Sequence, residues 1–136
     1  MPAGTFVRTY IGHTNLTRTL AVTADDSLVA AGADHGHLVV WGTTSGAIKW
    51  QTLAPSIIGS MAFSADGEIL ATGGGSSADP TIKLWSATTG TLLGTMKGHT
   101  SWVSEVAFNP EGTMLISASV DRTIRLWDVG TRGGGR

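Results

Sequence analysis

A strand-like run closing on tryptophan occurs three times in this chain: Leu38-Val39-Val40-Trp41, Ile82-Lys83-Leu84-Trp85 and Ile124-Arg125-Leu126-Trp127. The tryptophans are 44 and then 42 residues apart. A repeat of that length describes an array of small similar units, none able to bury its own apolar face alone. The way three such units are completed is therefore the main question the chain poses.

Other landmarks keep the same phase. Gly12-His13 and Gly98-His99 are 86 residues apart, about two repeats. Ahead of the tryptophan runs stand Leu20-Ala21-Val22, Met61-Ala62-Phe63 and Val106-Ala107-Phe108. Each is followed by a turn: Thr23-Ala24-Asp25-Asp26, Ser64-Ala65-Asp66-Gly67 and Asn109-Pro110-Glu111-Gly112. Glycine there tolerates positive φ, and proline presets φ. Then come Leu28-Val29-Ala30-Ala31, Ile69-Leu70-Ala71-Thr72 and Met114-Leu115-Ile116-Ser117, a second turn carrying Asp34, Asp79 or Asp121, and the tryptophan strand. The pattern predicts an all-β chain of short strands; no segment has a helical period.

Composition narrows the function. Net charge is −1, which supplies no field for nucleic acid or an anionic membrane, so neither is expected as a partner. Only 14% of residues are charged, against roughly 25% in ordinary soluble domains. A surface so poor in charge suits a chain part of which is covered. There is no cysteine, so disulfides and thiolate metal sites are excluded. No apolar stretch is long enough to span a bilayer, and Met1 to Tyr10 lacks the features of a signal peptide, which makes a cytoplasmic location the default expectation.

Residues 98–129, with Gly98-His99, Trp102-Val103, Val106-Ala107-Phe108, Asn109-Pro110-Glu111-Gly112, Ser117-Ala118-Ser119, Asp121 and Ile124-Arg125-Leu126-Trp127-Asp128, closely resemble a WD40 repeat. The resemblance extends over almost the whole chain. Residues 12–53 keep Gly12-His13 but have Trp41-Gly42; residues 54–97 have Leu53-Ala54-Pro55-Ser56 in place of Gly-His, and Trp85-Ser86. The second repeat also carries an insertion, Gly73-Gly74-Gly75-Ser76-Ser77-Ala78, ahead of Asp79.

In that family each repeat supplies a four-stranded antiparallel blade of a β-propeller. The resemblance implies a buried hydrogen-bonded set in repeat three: His99, Ser117, Asp121 and Trp127, with Ser119 as the alternative hydroxyl. A buried imidazole and a buried indole N–H each need partners, and a carboxylate can fix the imidazole tautomer. Repeat one retains His13, Asp34 and Trp41 but has Ala30 at the expected hydroxyl position. Repeat two retains Thr72 and Trp85 and is expected to be held mainly by packing, with a mobile insertion loop.

One strand is out of place. Outer strands follow the first two tryptophan runs, at Ala47–Leu53 and Thr91–Met96, but residues 130–136 are a glycine-rich tail. An extra strand, Thr5–Ile11, precedes Gly12-His13 instead, giving twelve in all. Residues 1–11, with Phe6, Val7, Tyr10 and Ile11, are thus expected to complete the third blade of another copy. Such a head-to-tail contact makes a homo-oligomeric ring, dimer or trimer, or else a filament. The alternative is that the chain is a fragment of a longer WD40 scaffold. Propellers run from about four to eight blades, so three blades leave both end faces open.

Catalytic and metal chemistry find little support. His35-Gly36-His37 could place two imidazoles on one strand face, but no third ligand cluster accompanies them. Gly73-Gly74-Gly75 is not followed by Lys-Ser/Thr, and no nucleophile elbow is present. No cofactor is expected, and the chain is expected not to be an enzyme. What the resemblance does imply is protein binding on the narrow top face, near Leu16, Ile57, Trp102, Ala33, Ala78 and Val120. Trp102 is the natural anchor, whereas Leu16 and Ile57 could equally pack between blades. Truncating Trp102 is expected to weaken binding, and truncating Trp127 to cost stability.

Overall fold

The computed structural model describes residues 4–13 and 17–130. Eleven strands lie within them, in three antiparallel sheets. Blade one is β1 (Thr17–Val22), β2 (Leu28–Ala33), β3 (His37–Gly42) and β4 (Ile48–Leu53) in spatial order. Blade two is β5 (Ile58–Phe63), β6 (Ile69–Gly74), β7 (Ile82–Ser86) and β8 (Leu92–Met96). Blade three has β9 (Val103–Phe108), β10 (Met114–Ser119) and β11 (Ile124–Asp128).

The first turn of each blade is built the same way. A short polar side chain at its start accepts the backbone N–H five residues on: Thr23 from Leu28 at 3.0 Å, Ser64 from Ile69 at 3.1 Å, Asn109 from Met114 at 2.9 Å. These side chains replace a ladder bond where the backbone reverses, which is why Ser, Thr and Asn recur there. Left-handed φ falls at Asp26 (65°), Gly67 (74°) and Gly112 (72°).

The blades stack through two cores. Leu28, Ala30, Leu38 and Val40 of blade one meet Ile58, Met61, Leu70 and Trp85 of blade two. Ala71 and Ile82 on the other face of blade two meet Val103, Val106 and Leu115 of blade three. Full burial of each larger side chain contributes about 1.5–3 kcal/mol. Trp50 ties the first interface: its Nε1–H donates to the Ala87 carbonyl at 2.7 Å, and its ring stands 6.4 Å from that of Trp85.

Among the described residues Thr5–Ile11 is in no strand of the single copy, so eleven strands are seen; the twelfth is expected only with a partner copy. One expectation is corrected. The polar position of β2 is Ala31, not Ala30. Val29 faces Trp41 in the ladder just as Leu70 faces Trp85 and Leu115 faces Trp127, and two residues on stand Ala31, Thr72 and Ser117. Because side chains alternate, Ala30 lies on the opposite face, inside the first core. Within β4, Ile48 and Trp50 do not share a face although they are two residues apart. A register shift pairs Trp41 with Ile48 and Val40 with Trp50, so the bulge sends them to opposite sides.

Candidate functional site

Blade three holds a continuous polar chain. Trp127 Nε1–H donates to Ser117 Oγ at 2.8 Å, the Ser117 hydroxyl donates to His99 Nε2 at 2.7 Å, and His99 Nδ1–H donates to Asp121 at 2.8 Å. Every buried donor is used, and the direction of the chain sets the imidazole tautomer. Asp121 also accepts the Thr123 hydroxyl at 2.6 Å and the Thr100 backbone N–H at 3.0 Å. The Thr123 bond first, then those of His99 and Thr100, hold the Asp121 carboxyl well below the usual carboxylate range. Ser119 is outside the chain and donates to the Ser101 carbonyl at 3.0 Å.

Two predictions follow from this chain of bonds. Ser117→Ala leaves the Trp127 N–H and His99 without their shared partner and is expected to cost about 1–3 kcal/mol in urea titration. Ser119→Ala is expected to cost less. Asp121 stabilises the fold where its folded-state pKa lies below that of the unfolded chain. The contribution is therefore present above about pH 4 and lost as pH falls below it. Urea midpoints from pH 7 to pH 2 are expected to drop more steeply for the wild type than for Asp121→Asn.

Blade two has a different set. Trp85 Nε1–H donates to Thr72 Oγ1 at 2.9 Å. Lys83, opposite Thr72 in the ladder, reaches Asp79 at 3.1 Å and Thr81 at 2.6 Å. Burial raises the Asp79 pKa, yet bonds from Thr81 and Lys83 outweigh it and hold it below the usual value. The blade is thus not held by packing alone: a lysine supplies the donor to the aspartate where repeat two has no histidine. Its insertion is also bonded, with Gly75 N–H on the Ile57 carbonyl at 2.7 Å and Gly74 N–H on that of Thr81 at 2.9 Å.

Blade one departs most from expectation. His13, Asp34 and Trp41 do not form one network. Asp34 accepts the Arg18 guanidinium Nε–H at 2.5 Å. Trp41 Nε1–H, lacking a hydroxyl at Ala31, donates to the Ile11 carbonyl at 2.9 Å. His13 Nε2 lies 3.2 Å from the Ala31 carbonyl, and its Nδ1 is buried with no partner among the described residues. Burial lowers the His13 pKa. His37 bonds Gln51 at 2.8 Å and meets His13 edge-on at 4.7 Å.

The proposed top-face residues divide. Ile57 and Trp102 line one cleft of about 250 Å³, together with Arg18, Gly59 and Ser104. Val120 is exposed beside Trp102, its N–H on the Trp102 carbonyl at 2.9 Å. Ala33 is fully buried and cannot serve a partner. Leu16 lies outside the described residues.

The end faces carry a stronger signal, read by comparing equivalent ladder positions. Leu38, Ile82 and Ile124 occupy the same place in the three blades, opposite Gly32, Gly73 and Ala118. The first two are 0% exposed and Ile124 is 76% exposed. On the other side, Met61 and Val106 face Thr72 and Ser117, as Leu20 faces Ala31. Met61 is 8%, Val106 3% and Leu20 74% exposed. The free face of blade three (Ile116, Ile124, Leu126) therefore repeats a surface buried twice inside the molecule, and the free face of blade one repeats its mate. Sequence periodicity marks all these positions as apolar; only the missing neighbours mark them as open.

Tyr10 to His13 lie along the blade-one face, on a cavity of about 710 Å³ shared with Leu20, Val29 and Trp41. Tyr10 donates to the Thr43 carbonyl at 2.8 Å. A β-carbon on Gly12 would meet the Trp41 ring at 3.2 Å, as one on Gly98 would meet Trp127 at 3.0 Å. Phe6, Val7 and Ile11 are exposed.

The family model described as WD domain, G-beta repeat matches residues 4–42, 51–86 and 90–128. The nuclear distribution protein PAC1 of Ajellomyces capsulatus (strain H143) is 38% identical over 103 residues, 74% of this chain and 22% of that protein. PAC1 of Tuber melanosporum (strain Mel28) is 53% identical over 62 residues, 46% of this chain and 13% of that protein. Two solved structures, of U3-55K and of the RRP9 WD40 repeats, each superpose with a TM-score of 0.82 at 31% identity, covering 90% of this chain and 38% of theirs. The chain thus spans a small part of its relatives' length. Three antiparallel sheets stacked at the tryptophan spacing, matched over most of their length by the repeat model, make this chain a member of the WD40-repeat family.

Proposed function

We propose that the chain is a non-catalytic protein-binding module whose end faces are completed by blades of a second copy, joined head to tail. The observation that carries this reading is the pair of free faces. Blade one and blade three expose, at Leu20 and Ile124, positions that are buried at both internal interfaces. Each internal interface joins one face of each kind, so the two free faces are matched in kind. Apolar patches of this sort mark association surfaces. Two copies make six blades, inside the usual range.

The N-terminal segment fits the same arrangement. The first matched repeat begins at residue 4 and the third at residue 90, which brings Phe6–Tyr10 into line with β8, Leu92–Met96. β8 pairs with β7 as Ile82↔Met96, Lys83↔Thr95, Leu84↔Gly94 and Trp85↔Leu92. Transferred to a neighbour's β11, that register reads Ile124↔Tyr10, Arg125↔Thr9, Leu126↔Arg8 and Trp127↔Phe6. Main-chain bonds would then supply blade three with its fourth strand.

A second reading rests on the relatives' length: the faces are covered by further blades of a longer scaffold chain. Light scattering across a concentration series separates the two. Self-completion predicts a discrete dimer or trimer, or a filament, that reverts toward monomer on Leu126→Asp. A wild-type monomer at every concentration would favour the longer scaffold. In either case Trp102, Ile57 and Val120 are the proposed contacts for an outside protein, and Leu16 is proposed with them as the aligned position of repeat one.

A further inference from the structure

We infer that Glu105 and Arg18 form an ion pair between copies that fixes which face meets which. This rests on the head-to-tail reading above. Glu105 stands opposite Ala118 in the β9–β10 ladder, one residue before Val106 and therefore on the free face of blade three. It is exposed and makes no ion pair among the described residues. Its equivalents in the other blades are neutral: Ser60, opposite Gly73, and Thr19, opposite Gly32.

What happens at that position inside the molecule is visible at Ser60. It is 4% exposed, and its hydroxyl donates to the Val103 carbonyl, at the first residue of the next blade's inner strand, at 3.2 Å. The blade-one counterpart of Val103 is Thr17, which pairs with Ala33 just as Val103 pairs with Ser119 at the end of its ladder. Arg18 comes next and lines the blade-one cavity. Seating a second copy on blade three as blade three sits on blade two therefore brings Glu105 to Thr17-Arg18 of that copy. A carboxylate buried there without a cation would be strongly disfavoured.

Arg18 can accept the added charge. Its bond to Asp34 uses Nε, and its side chain is 47% exposed. The guanidinium fork has donors on both Nη atoms to engage a second carboxylate. The occupant of the blade-three face is thereby specified as a blade whose inner strand opens with a cation, and blade one of this chain has one. A pair of this kind sets register and orientation more than raw affinity.

Charge reversal in the full 136-residue chain tests the pair. Glu105→Arg and Arg18→Glu are each expected to weaken association at least tenfold in sedimentation equilibrium. In an equimolar mixture of the two variants every junction of an alternating dimer or filament again joins opposite charges, and the mixture is expected to form these as strongly as the wild type associates. Far-ultraviolet circular dichroism guards against loss of the Arg18–Asp34 pair unfolding blade one. Glu105→Arg, at an exposed position, reports independently of that contact. If the wild type assembles but the mixture stays as weak as its components, the ion pair is wrong and the head-to-tail reading survives. A wild-type monomer at all concentrations overturns both.

Discussion

Trp85→Ala is expected to lower stability by about 3–5 kcal/mol, measured by urea or thermal unfolding. The ring is 5% exposed and stands at the first interface, 6.4 Å from Trp50. Truncation removes a large buried aromatic, leaves a cavity between two blades, and strips the 3% exposed Thr72 hydroxyl of its indole donor. A domain with about 5–15 kcal/mol in total loses a large share of it. Trp127→Ala is expected to cost less, because that side chain is only half-buried on an end blade. Trp102→Ala is expected to leave stability within about 0.5 kcal/mol, since the residue is 49% exposed. Equal losses at all three positions would remove the distinction between core and surface tryptophans.

The second large effect is expected at Gly36. Its φ is +80°, in the left-handed region that an alanine enters only at a cost. A β-carbon there would also run into the backbone carbonyl of Ala54. That contact belongs to the hinge between blades, where Ala54 N–H bonds the Gly36 carbonyl at 2.7 Å. Strain and overlap together predict a loss of about 2–4 kcal/mol for Gly36→Ala. Gly94→Ala is the control: its φ is not positive and nothing lies within 4 Å of the added carbon, so no loss is expected. A near-neutral Gly36→Ala in a thermal melt would mean that the connection between blades one and two is not held as described.

The blade architecture was legible in the sequence because tryptophan spacing, turn residues and alternating apolar positions all report one period. Repeat three shows how far this goes. Its His99, Ser117, Asp121 and Trp127 form a linked chain because every partner is present at the required ladder position. Repeat one shows where it stops. Ala30 and Ala31 are adjacent and identical, so the sequence could not say which one faces Trp41; the ladder decides for Ala31.

The choice of partner was equally hidden. Asp34 stands one residue earlier in its turn than Asp121 does, counted from the paired Gly32–Leu38 and Ala118–Ile124; Arg18 reaches it there, and His13 keeps a buried ring nitrogen with no partner among the described residues. Lys83 took the place of a missing histidine with no motif to announce it. Thr5–Ile11 has a strand's composition but is in no strand of the single copy, although β4, β8 and β11 each end a sheet there. Composition cannot show a contact that depends on another molecule.

The central claim is that the N-terminal segment of one copy lies on β11 of the next. The chain has no cysteine, so two variants, Thr9→Cys and Arg125→Cys, can be mixed and mildly oxidised without background. Facing residues on paired strands lie about 4.5–5.5 Å apart at Cα, within disulfide range. Head-to-tail completion predicts a covalent heterodimer of the two variants, formed well ahead of either homodimer, on a non-reducing gel. No heterodimer, or one no faster than random collision gives, would contradict it.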